Sequence, residues 1–152
     1  MEYLKDKRTK NLTLRDIHIG DWVQVWSELT ERYSPPLKIT QICDDGTIYL
    51  VGSDEERPTP WEEDIKNVDA LPIDADLLRG FGFTAFSNRD ELGMYYNIYY
   101  KDKHIGLLIY DFFDDRPYLY IHREPFYYMH EYIAYNRRNN IDIKLEWKGI
   151  EQ

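Results

Sequence analysis

Three short motifs carry residue types able to do chemistry. His130-Glu131 looks like the opening of a zinc-protease helix, where two histidines four residues apart share one metal. Position 134 is Ala134, so the second ligand is missing, and His130 reads as a satisfied, partly buried histidine beside an apolar stripe. Asp142-x-Lys144 and Glu146-x-Lys148 each match the acid-x-Lys half of a metal-dependent nuclease. That chemistry needs a second carboxylate on a neighbouring strand, for which Asp111 and Asp115 are candidates, and a surface that admits phosphate. The same spacing is common on exposed strands, so a solvated charged face is the expectation. His18, His104 and His122 share no ligand spacing, and the lone Cys43 follows Ile42 as a small buried hydrophobe. There is no Gly-rich phosphate loop and no serine elbow. The motifs therefore weigh against an enzyme and imply neither metal nor cofactor.

Tyrosine is the unusual residue. Eleven of the fourteen tyrosines fall between Met94 and Tyr135. A phenol joins apolar area to a polar tip and loses little entropy on ordering, which is why Tyr is enriched at interfaces. Strand alternation places Tyr95, Tyr99, Tyr118, Tyr120 and His122 on one sheet face, away from the helix that follows. They are the candidate binding residues, with cover of this face by the N-terminal module as the equal alternative. Tyr128, Tyr132 and Tyr135 form a second stripe, expected to bridge two modules.

Charge is concentrated rather than spread. Lys and Arg number 19 against 28 Asp and Glu, a net −9. The stretch from Asp44 to Asp76 alone holds eleven acids against Arg57 and Lys66. Asp54, Glu55, Glu56, Glu62, Glu63 and Asp64 make its acidic surface. Such a field repels nucleic acid and anionic membrane and attracts basic partners. No apolar run approaches the ~20 residues of a membrane helix, and MEYLKDKRTK lacks a secretory apolar segment. A cytoplasmic protein is expected.

Several elements must position these residues. Residues 1–12 read as a flexible basic arm. Trp22–Trp26, Leu37–Ile42 and Thr47–Val51 read as strands, the last two joined at Asp44-Asp45-Gly46. With the Gly20-Asp21 opening, they predict a small SH3-like barrel over 13–71. A linker helix starts at the N-cap Asp74, buries Leu77 and Leu78, and ends at Gly80. Residues 87–93 read as a polar loop. Strands are expected at 94–101, 105–113, 118–122 and 141–147, the last strictly alternating. A helix from Pro125 to about Arg138 would turn Phe126, Met129 and Ile133 inward. The fold class is α+β, with an antiparallel sheet of about four strands and one packed helix over 72–152.

GDWV near the start, Leu71-Pro72-Ile73-Asp74, Leu77-Leu78, Gly82-Phe83 and Met129-His130-Glu131 together resemble a family of small uncharacterised proteins. These are encoded by Bacteroides-type bacteria, their phages and mobile elements. The family's ending has Leu and Gln where this chain has Tyr132 and Ile133. The resemblance implies a phage or mobile-element setting in a bacterial host cell, and no reaction. The leading expectation is a non-catalytic protein that binds a protein partner or itself, as a homodimer, through the tyrosine face. Two others stand beside it: an acidic nucleic-acid mimic that blocks a basic host protein, and a protein that holds or sequesters a nucleotide-like small molecule.

Overall fold

The computed structural model describes residues 9–52, 61–90, 93–110 and 116–149. Its contacts divide the chain into two compact units, Met1–Leu71 and Pro72–Gln152. Every strand pairing is antiparallel, and helices are few. The class is α+β.

The first unit is a curled, half-closed sheet. Its strands are β1 (Trp22–Ser27), β2 (Arg32–Tyr33), β3 (Leu37–Ile42), β4 (Thr47–Val51), β5 (Trp61–Asp64) and β6 (Val68–Asp69). They run β2-β1-β3-β4-β5, and β6 pairs back onto β1. Alternate positions Val23, Leu37, Ile39, Ile48, Leu50 and Val68 form the core, each at most 2% exposed. The turn at Asp44-Asp45-Gly46 is as its residues predict. Gly46 takes φ +97°, and the Asp45 carboxylate accepts the Thr47 N–H at 3.0 Å, holding its pKa below the usual value. Asp64 caps a 3-10 turn over Ile65–Asn67, accepting the Lys66 N–H at 3.0 Å.

Two expectations change here. Cys43 sits half-buried at a strand end, accepting a weak bond from Gln41, because the turn lifts it off the core. Of the expected basic arm, residues 1–8 lie outside the described residues, but Thr9–Leu12 are tied down. Leu12 is 1% exposed and donates to the Val68 carbonyl, and Asn11 pairs with Asp69.

The second unit opens with α1 (Ala75–Gly80). Asp74 caps it, accepting the Leu77 N–H at 2.7 Å, and Leu77 and Leu78 are buried. The helix is terminated two residues later than the sequence suggests: Gly82, at φ +93°, takes the left-handed position, while Gly80 is the last helical residue and lies buried against Trp147. A five-stranded sheet follows in the order β11-β10-β9-β8-β7. Its strands are β7 (Thr84–Asp90), β8 (Gly93–Tyr100), β9 (Lys103–Tyr110), β10 (Tyr118–Ile121) and β11 (Glu124–Phe126), and α2 (Met129–Arg138) closes the unit.

Four corrections concern this unit. The polar loop at 87–93 is instead largely strand β7, recruited by pairing with β8 over its whole length. The helix starts at Met129, not Pro125, because Glu124–Phe126 pairs with β10. The Glu131 carboxylate folds back to accept the Tyr127 and Tyr128 N–H groups and caps it there. The inward stripe of α2 is Met129, Tyr132, Tyr135 and Asn136, one position round from the expected one, with Ile133 only half-buried. Residues 141–147 are extended but join no sheet. Their apolar positions are half-buried and their charged ones exposed, as alternation requires, yet the segment is fixed by the Lys148 N–H on the Gly80 carbonyl and by Trp147 on Phe81.

Candidate functional site

Alternation along β8, β9 and β10 sorts side chains to two faces, each with half-buried tyrosines toward its margins. On the inner face Ile98, Leu108 and Leu119 are each 0% exposed. Tyr132 packs edge-on to Phe83 and Tyr135 lies against Phe126, so α2 covers this side. The α1 segment covers it too, through the Ala75 N–H on the Tyr110 hydroxyl at 3.2 Å and Arg79 over the Tyr96 ring.

The outer face carries Tyr95, Tyr99, Leu107, Ile109, Tyr118 and Tyr120, all half-buried, and Phe86 at 57% exposure. Register fixes the pattern. Tyr95 stands opposite Ile109, which stands opposite Tyr118; Asn97 stands opposite Leu107, which stands opposite Tyr120. Directly opposed side chains on one face are roughly 5 Å apart at Cβ, so the set is one continuous surface. The rings shield one another: Phe86 to Tyr99 at 5.6 Å, Tyr99 to His104 at 5.1 Å, and Tyr118 to Tyr120 at 6.4 Å. His104 also meets the Asn97 amide oxygen at 3.3 Å. Among the described residues, no helix of this unit packs on this side.

The structure thus brings Tyr95, Tyr99, Tyr118 and Tyr120 onto one face and leaves His122 off it. Strand β10 ends at Ile121, and His122-Arg123 form a two-residue turn at φ +46° and +69°. That turn ends the alternation which would have aligned His122 with the tyrosines. Sequence reasoning missed Phe86, Leu107, Ile109 and His104. Period-2 spacing along β9 identifies Leu107 and Ile109, and β7 once known as a strand supplies Phe86, but His104 comes opposite Tyr99 only through the register shift after Ile98.

The acidic residues divide. Asp54, Glu55 and Glu56 lie outside the described residues. Glu62, Glu63 and Asp64 are on β5, and each is engaged locally. Glu62 accepts the Tyr49 hydroxyl at 2.8 Å, which raises the Tyr49 pKa; Glu63 accepts Asn67 at 2.8 Å; Asp64 holds the 3-10 turn. The acid-x-Lys motifs are exposed on the 141–148 segment, and Asp111 and Asp115 lie outside the described residues. No group of three or more His, Cys, Asp or Glu able to hold a metal occurs among the described residues.

Two concavities are lined by described residues. The first unit has an open groove of about 610 Å³ between the β1–β2 hairpin and Trp61, with Trp26 and Tyr33 in its lining. The second has a cleft of about 510 Å³ where Lys101 and Lys103 face the 140–144 segment. No helix of the described residues is long and apolar enough to cross a membrane. No family model matches the chain, and comparison with curated proteins and solved structures gives no significant match.

Proposed function

We propose that this chain is a non-catalytic interaction protein whose aromatic sheet face binds a protein partner. The observation that carries this reading is the asymmetry of one sheet. Tyr95, Tyr99, Tyr118 and Tyr120 on the outer positions are half-buried and Phe86 is more than half exposed, while Ile98, Leu108 and Leu119 at the centre of the inner face are fully buried. A monomer gains nothing from keeping so much ring surface in water, and large exposed apolar patches mark interaction sites. The face presents rings with polar tips and no acid or cation among its central positions, which suits a flat, largely apolar protein surface.

The curled first sheet, with its 3-10 turn before the last strand, is read here as an SH3-like barrel, and the resemblance of its motifs supports a phage or mobile-element origin. A nucleic-acid mimic gains less support, since Glu62, Glu63 and Asp64 are spent on local hydrogen bonds.

The test is Tyr99→Ala combined with Tyr120→Ala. Both side chains are half-buried on the outer face, so the double variant keeps its fold by circular dichroism while capture of the partner is lost. Undiminished capture by the double variant rejects the reading.

A further inference from the structure

Sheet edges expose unpaired N–H and C=O groups and invite another strand, so proteins blunt them with short strands, charges or proline. The described edges of this chain are blunted, with one exception. Strands β2 and β6 are two residues each, and β5 is four residues, three of them acids. Strand β11 is three residues with Pro125 at its centre. Strand β7 differs in length and in its lack of proline, and its two charges, Arg89 and Asp90, lie at one end. It has seven residues, no proline and no lysine, and an unbroken register with β8 from Thr84↔Tyr99 to Asp90↔Gly93. Its outward side is visible in one contact: the Ala85 carbonyl accepts from the Arg79 guanidinium at 3.5 Å and so points away from β8. By alternation the backbone groups of Ser87 and Arg89 point the same way.

We propose that β7 is a pairing edge whose occupant is β7 of a second copy, antiparallel about a two-fold axis at Ser87. Pairing the whole strand in this register sets Ser87 opposite Ser87, Ala85 opposite Arg89, Phe86 opposite Asn88 and Thr84 opposite Asp90. No like charges meet, so the strand is complementary to itself. The three outward residues of each copy exchange about six backbone hydrogen bonds. The join makes one ten-stranded sheet from two five-stranded ones and runs the two aromatic faces into a single surface, with Phe86 of each copy beside the seam. This inference goes beyond the binding role of the face and does not depend on it.

The purified full chain is examined by light scattering after size exclusion, at up to about 100 µM, a range that reveals micromolar association. Twice the monomer mass is expected. Ser87→Pro removes the central N–H at a position where an edge strand tolerates proline, and the variant is expected to run as a folded monomer. Ser87→Lys is the second variant. Position 87 is exposed, so lysine fits the monomer but opposes like charges across the axis, and association weakens at least about tenfold. The Tyr99→Ala, Tyr120→Ala double variant remains dimeric. Three results overturn the proposal: a monomeric wild type, which leaves the edge to a foreign strand; folded Ser87 variants that stay dimeric; or a dimer lost in the tyrosine double variant but kept in Ser87→Lys.

Discussion

Tyr33 and Tyr132 carry the same hydroxyl into opposite surroundings. Tyr33 donates to the fully buried Asp69 carboxylate at 2.6 Å, and burial, then that carboxylate, raise its pKa. Removing a donor from a buried acid leaves the charge under-solvated, so Tyr33→Phe is expected to cost roughly 1.5–3 kcal/mol in urea unfolding. The Tyr132 hydroxyl is fully buried, and its polar neighbour, the Asn136 side chain one turn on, offers it at best a poorly aligned hydrogen bond. Tyr132→Phe is therefore expected to be neutral or stabilising by up to about 1 kcal/mol; a loss larger than that would mean the hydroxyl is bonded. Burial pushes the Tyr132 pKa up from 10.0 to about 12. Folded and unfolded chains are both neutral at this site below pH 10. As pH rises from 10.0 to about 12, the unfolded chain deprotonates first and stability falls. Tyr132→Phe should flatten part of that alkaline loss in unfolding midpoints measured against pH. None of this was legible from residue types: tyrosine enrichment marks aromatic surface, but burial of a particular ring depends on which helix face turns inward.

Elements were legible where the local signal and the tertiary partner agree. The Asp44-Asp45-Gly46 turn, the Asp74 cap and the alternation of β8 and β10 follow from sequence because each is set by its own residues. Strand β7 was hidden because Ser87, Asn88 and Asp90 are turn formers overridden by pairing with β8. Residues 141–147 show the reverse: alternation gave the faces correctly, but period cannot say whether a neighbouring strand exists. The tight turns are also atypical, with Lys101-Asp102 at φ +48° and +67° and His122-Arg123 at +46° and +69°. Asn-Gly is the pair suited to two left-handed residues. Replacing His122-Arg123 by Asn-Gly is expected to raise stability by about 1 kcal/mol. Partner capture should be unchanged, since His122 stands off the aromatic face; reduced capture would return His122 to the site. At Gly106 an added Cβ would meet the Tyr120 carbonyl at 2.5 Å, so Gly106→Ala should push β10 away and cost about 2 kcal/mol or more.

At the scale of the whole molecule, a chain of net charge −9 offers two surfaces with different salt responses. Charged contacts in water are screened within about 10 Å at 0.1 M salt, whereas apolar burial is not. Binding through the aromatic face should change less than about threefold between 0.05 and 0.5 M salt, while an acidic mimic would lose orders of magnitude. The division at Leu71–Pro72 places the aromatic face and the acidic strand β5 in different units, so the two responses can be read by separate variants. The most direct measurement is quantitative capture of one partner by three folded proteins at 0.3 M salt: wild type, Tyr99→Ala with Tyr120→Ala, and Glu62→Gln with Glu63→Gln. Capture is predicted to survive the glutamine changes and to vanish with the two tyrosines. Capture that survives without Tyr99 and Tyr120, or fails only without Glu62 and Glu63, would contradict the account.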